Sequence, residues 1–424
     1  MGKLSWSSSV ILALLLFILP IMVGCGGDDE KEPSSTATQP TGTAEPVEDV
    51  VITIGHHVDL TGPGANPMAA IVTALDDMVK YYNESDLIPG VELKIETYDN
   101  QYDPAKDIPG YEWLKEKGAD LILSAAPVTA TTLESRLAED EMVLFGLAPD
   151  EESLDPPGYV FAGSNSLAKY GSWTLLKWIA ENDPDFPKDR PATLGGASWT
   201  EGHSGAFFAG CQEYADAHPD QYDWVDGFLT NYTFVWPTEV EALKDLDYVT
   251  PPTMVTNFAR EYGNAGGKAK FIGDQHHLAF LGLVDQADLW DEIDGMLVLT
   301  NTRWWNEEGP IVSLAKDLLN RYHSEDEAAS IIQSGTGYMA LSSIFVMLEI
   351  IKNTVEAVGP QNFDSQALYQ AAQSFSFTMD DIEMYSFSET KRAPQNYFGM
   401  YEINAAEKDV FRVVPEWLPA VTEP

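Results

Sequence analysis

Basic residues are scarce in this chain. Only 24 of 424 residues are Lys or Arg, against 67 Asp and Glu, giving a formal net charge of −43. Such a surface repels phosphate backbones, which excludes nucleic acid as a partner. It also repels anionic lipid head groups, so no basic patch can hold the protein at a membrane. Solubility is the ordinary consequence of that charge, and a saline habitat is a second account of it. Cysteine is scarcer still. Cys25 and Cys211 are the only two, which leaves no disulfide framework and assigns stability to the core. Catalytic signatures are missing as well: no G-x-S-x-G elbow, no P-loop lysine, no H-E-x-x-H and no dinucleotide fingerprint. Gly62-Pro63-Gly64 is a G-x-G without its third glycine. The expectation is a protein without cofactor and without enzymatic activity.

Long apolar runs are also missing. The stretch from Val10 to Leu19 ends at Pro20 and the Gly26-Gly27 pair, short of the roughly 20 residues a spanning helix needs. With Lys3 ahead of it and Gly24 behind it, the stretch reads as an export signal. Cys25 directly after that small residue resembles the lipobox of bacterial lipoproteins. The resemblance implies removal of residues 1–24 and a lipid on Cys25, tying the protein to the outer face of the cytoplasmic membrane or facing the periplasm. Cys211, in the helical stretch 205–215, is then a lone thiol and reads as a small buried hydrophobe. Residues 25–49 are rich in Ser, Thr, Pro and acids and hold almost nothing to bury, as in a disordered tether.

What is present from residue 50 onward is an alternation of strand and helix. Val50–Gly55, 91–98, 120–124 and 142–146 read as strands. Helical spacing covers 69–82, 105–117 and 129–139 between them. A second series follows: helix 167–181, strand 192–197, helix 204–217 and strand 223–229. It continues through a helix near 238–245, strand 246–249, helix 253–265, strand 269–273, helix 278–288 and strand 295–300. The remainder is more helical (311–323, 335–358, 364–374) and ends in strand-like segments at 384–387 and 398–404. Ser342, Ser343 and Glu349 interrupt the long helix 335–358, which suits a lobe interior better than a bilayer. Hydrophobic residues at 44% and aromatics at 11% supply two cores. Alternating order of this kind argues for parallel sheets covered by helices.

Ligands of open parallel sheets sit beyond the carboxyl ends of the strands. Those ends carry segments 59–65, 124–132, 146–150, 197–202, 250–253 and 273–277, rich in small residues and hydroxyls. This is a binding-cleft composition without a nucleophile–base pair. Two histidine pairs also fall there, His56-His57 and His276-His277. Adjacent strand residues point to opposite faces, so each pair offers at most one ligand to a common metal site. The expectation is one core and one rim histidine per pair, and no metal.

The loop segments carry a family resemblance. I-T-I-G-H-H-V-D-L-T-G-P-G-A (52–65) resembles the opening of the branched-chain amino-acid binding proteins of ABC transporters, which are type I periplasmic binding proteins. Y-D-N-Q-Y-D-P-A-K (98–106) is similar to that family's segment after the second strand, and 119–124, 158–161, 267–273 and 295–298 follow in family order. The resemblance implies an α/β fold of two lobes, each a parallel sheet flanked by helices, joined by three crossovers around a ligand cleft. The N-terminal lobe would take 50–166 and 301–385, and the C-terminal lobe 167–300 and 386–424. It implies a monomer that binds a small polar solute, such as an amino acid or amide, and hands it to an ABC permease. A ligand-sensing subunit of a membrane receptor and a metal-dependent surface hydrolase are the alternatives.

The expected ligand residues are Asp59, Thr61, Gly62, Thr129, Thr131, Asp150, Trp199, Thr250 and Gln275. Three positions depart from the family. Asp150 stands where a hydroxyl is expected, Gln275 where an acid meets the ammonium group, and Asn66-Pro67 where an aromatic often packs. Trp199, Trp304 and Trp305 could supply apolar or cation–π surface instead.

Overall fold

The computed structural model describes residues 49–424 apart from Tyr232. The leader 1–24, Cys25 and, but for Asp49, the tether lie outside the described residues. In the first series β1 (Val50–Val58), α1 (Ala65–Glu84), β2 (Val91–Asp99), α2 (Asp107–Glu116), β3 (Leu121–Ser124), α3 (Pro127–Asp140), β4 (Leu144–Gly146) and β5 (Val160–Ala162) alternate along the chain. The strands form one parallel sheet in the order β2-β1-β3-β4-β5. Parallel neighbours need helical crossovers, which cover both faces. That is why β1 is buried almost end to end, histidines included.

The chain then leaves the first sheet. The second series is α4 (Ala168–Asn182), β6 (Ala192–Trp199), α5 (Gly202–Ala217), β7 (Tyr222–Thr230), α6 (Pro237–Leu243), β8 (Tyr248–Thr250), α7 (Thr256–Asn264), β9 (Lys270–Asp274), α8 (Gln275–Leu278), α9 (Leu281–Gln286) and β10 (Leu297–Thr300). After it come α10 (Pro310–Tyr322), α11 (Glu325–Gln333), α12 (Leu341–Val358) and α13 (Ser365–Gln373), with the hairpin β11 (Ser376–Met379) and β12 (Ile382–Ser386). Helices α10 and α12 pack on α1, against the first sheet. The chain finally returns to the second sheet as β13 (Tyr397–Asn404), β14 (Asp409–Arg412) and β15 (Leu418–Pro419).

The second sheet differs from the expected all-parallel one. Its order is β14-β13-β10-β9-β8-β6-β7, parallel from β10 to β7, but β13 runs antiparallel to β10 and β14 antiparallel to β13. β14 follows β13 through a short turn with no crossover helix, and such a connection gives an antiparallel pair, whereas β13 reaches β10 only after the chain has returned from the first sheet. Helix 278–288 is likewise two short helices, α8 and α9, and the long helix begins at Leu341 after a 3-10 turn at Tyr338–Ala340. Among the described residues no single helix is long and apolar enough to cross a membrane. Helix α12 buries Ile344, Val346, Met347, Ile350 and Ile351 completely. Cys211 is buried in α5 and unpaired; burial pushes its thiol far above the ordinary range.

Candidate functional site

The strand ends of both sheets face one cavity of about 270 Å³. Met68 and Ile71 of α1 and Tyr102 after β2 line it from the first series, and Trp199, Phe234 and Phe280 from the second. An apolar body fills such a space, and a few polar groups orient it.

On the first side the wall is built by residues that stand behind it. Asp59 is buried and accepts from the backbone N–H of Gly62 (2.5 Å) and Gly64 (2.7 Å). This ties loop 59–64 into a tight turn that presents Pro63 and Gly64 to the cavity. Position 62 must be glycine, because a Cβ there would press onto the Gln101 carbonyl and the Asp59 carboxylate. Thr61 is exposed and donates to Asp99 (2.7 Å). Thr129 is fully buried and donates to Asp107 Oδ1 (3.1 Å), which Asn100 also reaches (3.1 Å). Asp59, Thr61, Gly62 and Thr129 therefore shape the wall from behind, and their neighbours Ala125, Pro127, Leu147 and Ala148 line it.

Asp150 follows β4 and lines a smaller adjoining cavity of about 50 Å³. Its carboxylate lies against Gly202, the first residue of α5; any Cβ at Gly202 would overlap it. Burial raises the Asp150 carboxyl, and the acids Glu201 and Glu152 add to this, while His203 and the Thr131 hydroxyl act the other way.

On the second side Trp199 ends β6 and lines the main cavity. Its indole N–H donates to the Thr233 carbonyl (2.7 Å), and its ring packs on Phe234 and Trp236 at 5.4 and 5.7 Å. Thr250 ends β8 but is buried; Thr253 lines the cavity instead. Trp304 and Trp305 are core residues, bonded to Asp409 and to the Gly335 carbonyl.

Gln275 lines the cavity, but both ends of its amide are engaged. Its Nε2 donates to Asn165 Oδ1 (2.8 Å), and its Oε1 accepts from the Asn301 backbone (2.9 Å). Asn301 Nδ2 donates to the same Asn165 oxygen (2.7 Å). Asn165 and Asn301 sit where the chain passes between the sheets, so this triangle latches two crossovers together. Sequence reasoning missed both asparagines. Their position within three residues of the ends of strands β5 and β10 was the available signal.

Of the two histidine pairs, the first departs from expectation. His56 and His57 are both fully buried in β1, so neither is a rim residue. Burial lowers them to about 3 and about 4, respectively; the charge on His57 adds to the effect at His56, and a hydrogen-bond contribution from Asp107 opposes it at His57. His277 is also buried and donates to the Pro251 carbonyl (3.0 Å). His276, by contrast, faces the cavity, where it meets a residue not singled out from the sequence, His203 in the first turn of α5. Their rings stand 3.8 Å apart. Asp274 joins them: Oδ2 bonds His203 Nε2 at 2.8 Å and Oδ1 bonds His276 Nδ1 at 3.1 Å. Burial opposes charge on His203, but Asp274, with Glu201 and Asp150, pushes it up to about 9. Burial also opposes the charge of Asp274, yet the two imidazoles hold it well below the usual carboxylate range. His276 is lowered by burial and by the charge on His203.

Two α/β sheets whose carboxyl ends face one ligand-sized cavity define the type I periplasmic binding protein fold. The periplasmic binding protein family model matches residues 51–198. No curated relative matches the chain. A branched-chain amino-acid ABC transporter protein from Thermus thermophilus with bound valine is similar at 19% identity and TM-score 0.74, covering 88% of this chain and 98% of that one. A solute-binding protein from R. palustris in complex with 4-hydroxybenzoate is similar at 13% and 0.71, with coverage of 88% and 98%. A fatty acid ABC transporter substrate-binding protein from Thermomonospora curvata is similar at 15% and 0.68, with coverage of 86% and 91%. The family model agrees with the resemblance read from the loops of residues 52–124, and the solved structures share the fold.

Proposed function

We propose that the protein is an extracytoplasmic solute-binding protein of an ABC importer, held at the membrane by a lipid on Cys25. It takes a small solute with an apolar or aromatic body, closes its lobes on it and delivers it to a permease. No chemistry is done on the solute. The observation that carries this reading is the cavity of about 270 Å³ lined from both sheets by Tyr102, Trp199, Phe234 and Phe280. Its volume suits a solute of amino-acid or benzoate size. Glu201 and His203 on one wall supply polar groups to orient it. The lobes would be 50–166 with 301–385, and 167–300 with 386–424, moving about the crossovers that Asn165 and Asn301 latch. A solute that binds the folded state raises the melting temperature by mass action. Thermal-shift screening of amino acids, hydroxybenzoates, short fatty acids and amides is expected to give at least one saturable shift. A folded protein that responds to none of them would contradict solute transport.

A further inference from the structure

We propose that His203, Asp274 and His276 form a binding site for a divalent transition-metal ion of the zinc type in the wall of the cleft. The site is open on its cavity side, where a donor group of the solute completes the coordination. That last clause rests on the solute-binding reading; the metal site does not.

Three ligating atoms, one from each residue, lie within 4.8 Å of one another. Two imidazoles and a carboxylate are a donor set for borderline divalent ions such as zinc, cobalt or nickel. Ligands of a tetrahedral zinc stand roughly 3.3 Å apart, given bonds of about 2.0–2.1 Å. Asp274 Oδ2 stands 2.8 Å from His203 Nε2 and Oδ1 3.1 Å from His276 Nδ1, so the carboxylate already joins the two rings, and a modest turn of it offers an oxygen to an ion shared with both.

The donors come from two independent strand ends. Asp274 ends β9 and caps α8 by accepting from the His276 backbone N–H (3.0 Å). His203 begins α5 after β6, where Glu201 accepts from its backbone N–H (2.9 Å). A helix cap needs one carboxylate oxygen. The other oxygen of Asp274 turns to a histidine on a different helix, which capping does not require. His203 and His276 line both the main cavity and the smaller one of about 50 Å³ behind it, so an ion there has a path in and room for further ligands. Glu201 in the main cavity and Asp150 in the smaller one add negative charge around the site.

The test uses the purified protein, stripped with a chelator and titrated with Co²⁺ under visible spectroscopy, then with Zn²⁺ in competition. One equivalent of Co²⁺ is expected to give d–d absorption that Zn²⁺ abolishes. H203Q and H276Q are each expected to weaken binding at least tenfold, and H218Q, altered at the opposite end of α5 beside Tyr214, to leave it unchanged. Circular dichroism of the stripped variants checks folding; if H203Q does not fold, the more exposed H276Q decides. Absence of binding, or binding that is unchanged in H276Q, overturns the site and assigns any uptake to the acidic surface. A solute found by thermal shift is then measured on stripped and loaded protein. Tighter binding to loaded protein supports coordination by the solute. Equal binding overturns that clause and leaves solute transport standing. Metal uptake with no solute response has the reverse meaning.

Discussion

His56-His57 and His276-His277 are the same dipeptide at the same topological place, the carboxyl end of a parallel strand. They meet opposite fates. Both members of the first pair are fully buried, whereas the side chain of His276 keeps 28% of its surface open to the cleft. The difference lies in where the strand stops. β1 runs on to Val58, so the first pair stays inside the sheet with one ring on each covered face. β9 stops at Asp274, so the second pair falls on a helix that Asp274 caps, and the helix turns His276 outward and His277 inward. Residue type did not decide burial here; the length of the strand did.

The largest expected consequence is acid sensitivity from the first pair. Their folded-state values, about 3 and about 4, lie below the unfolded value of 6.5. The unfolded chain therefore binds more protons between these limits. Stability is full above pH 6.5 and is lost as pH falls through 6.5 toward 4. At pH 5 the loss is about 2 kcal/mol per histidine, from about 1.36 kcal/mol per pH unit. Urea unfolding at pH 7 and pH 5 measures it. His56→Leu is expected to remove about half of the pH dependence while solute affinity stays the same. A loss of affinity in that variant would break the comparison.

Trp199→Ala comes next. It removes the aromatic wall, and solute affinity measured by calorimetry is expected to fall by about tenfold to hundredfold with the fold intact. Asn301→Ala breaks the latch with Asn165 and is expected to cost about 1–2 kcal/mol in urea unfolding, since Asn165 and the buried Ser164 hydroxyl each lose one of their donors. Gly202→Ala forces the Asp150 carboxylate off α5. Solute affinity is expected to weaken several-fold, and stability in urea to fall by about 1–3 kcal/mol, because the overlap outweighs the helix preference of alanine. Thr61→Ala sharpens the contrast between residues that line the cleft and those behind it. Its exposed bond to Asp99 is worth within about 0.5 kcal/mol, and solute affinity should not move.

Much of the architecture was legible because parallel strands are continuous apolar runs, and helices between them carry a 3.6-residue period. The strand-end loops were legible for the same reason, and Trp199 and Gln275 do line the cavity. Side-chain direction within a loop was not legible. Thr129 and Thr250 have the hydroxyls a ligand needs, yet both turn inward, Thr129 to serve Asp107. His203 was passed over because a single histidine at a helix start carries no periodic signal. Its meaning comes from Asp274, 71 residues away in sequence. Helix α11 was missed although Ser324 and Glu327 form a capping box that marks its start. The antiparallel β13 and β14 were hidden because strand direction depends on the connection, which composition does not record.

Histidine footprinting with diethylpyrocarbonate, read residue by residue by mass spectrometry, tests the central contrast most directly. In the folded protein at pH 7, His276 is expected to react, His56 and His57 to stay unmodified, and a bound solute to protect His276. Modification of His56 or His57 at the rate of His276, or reactivity of His276 that a saturating solute leaves unchanged, would contradict the account.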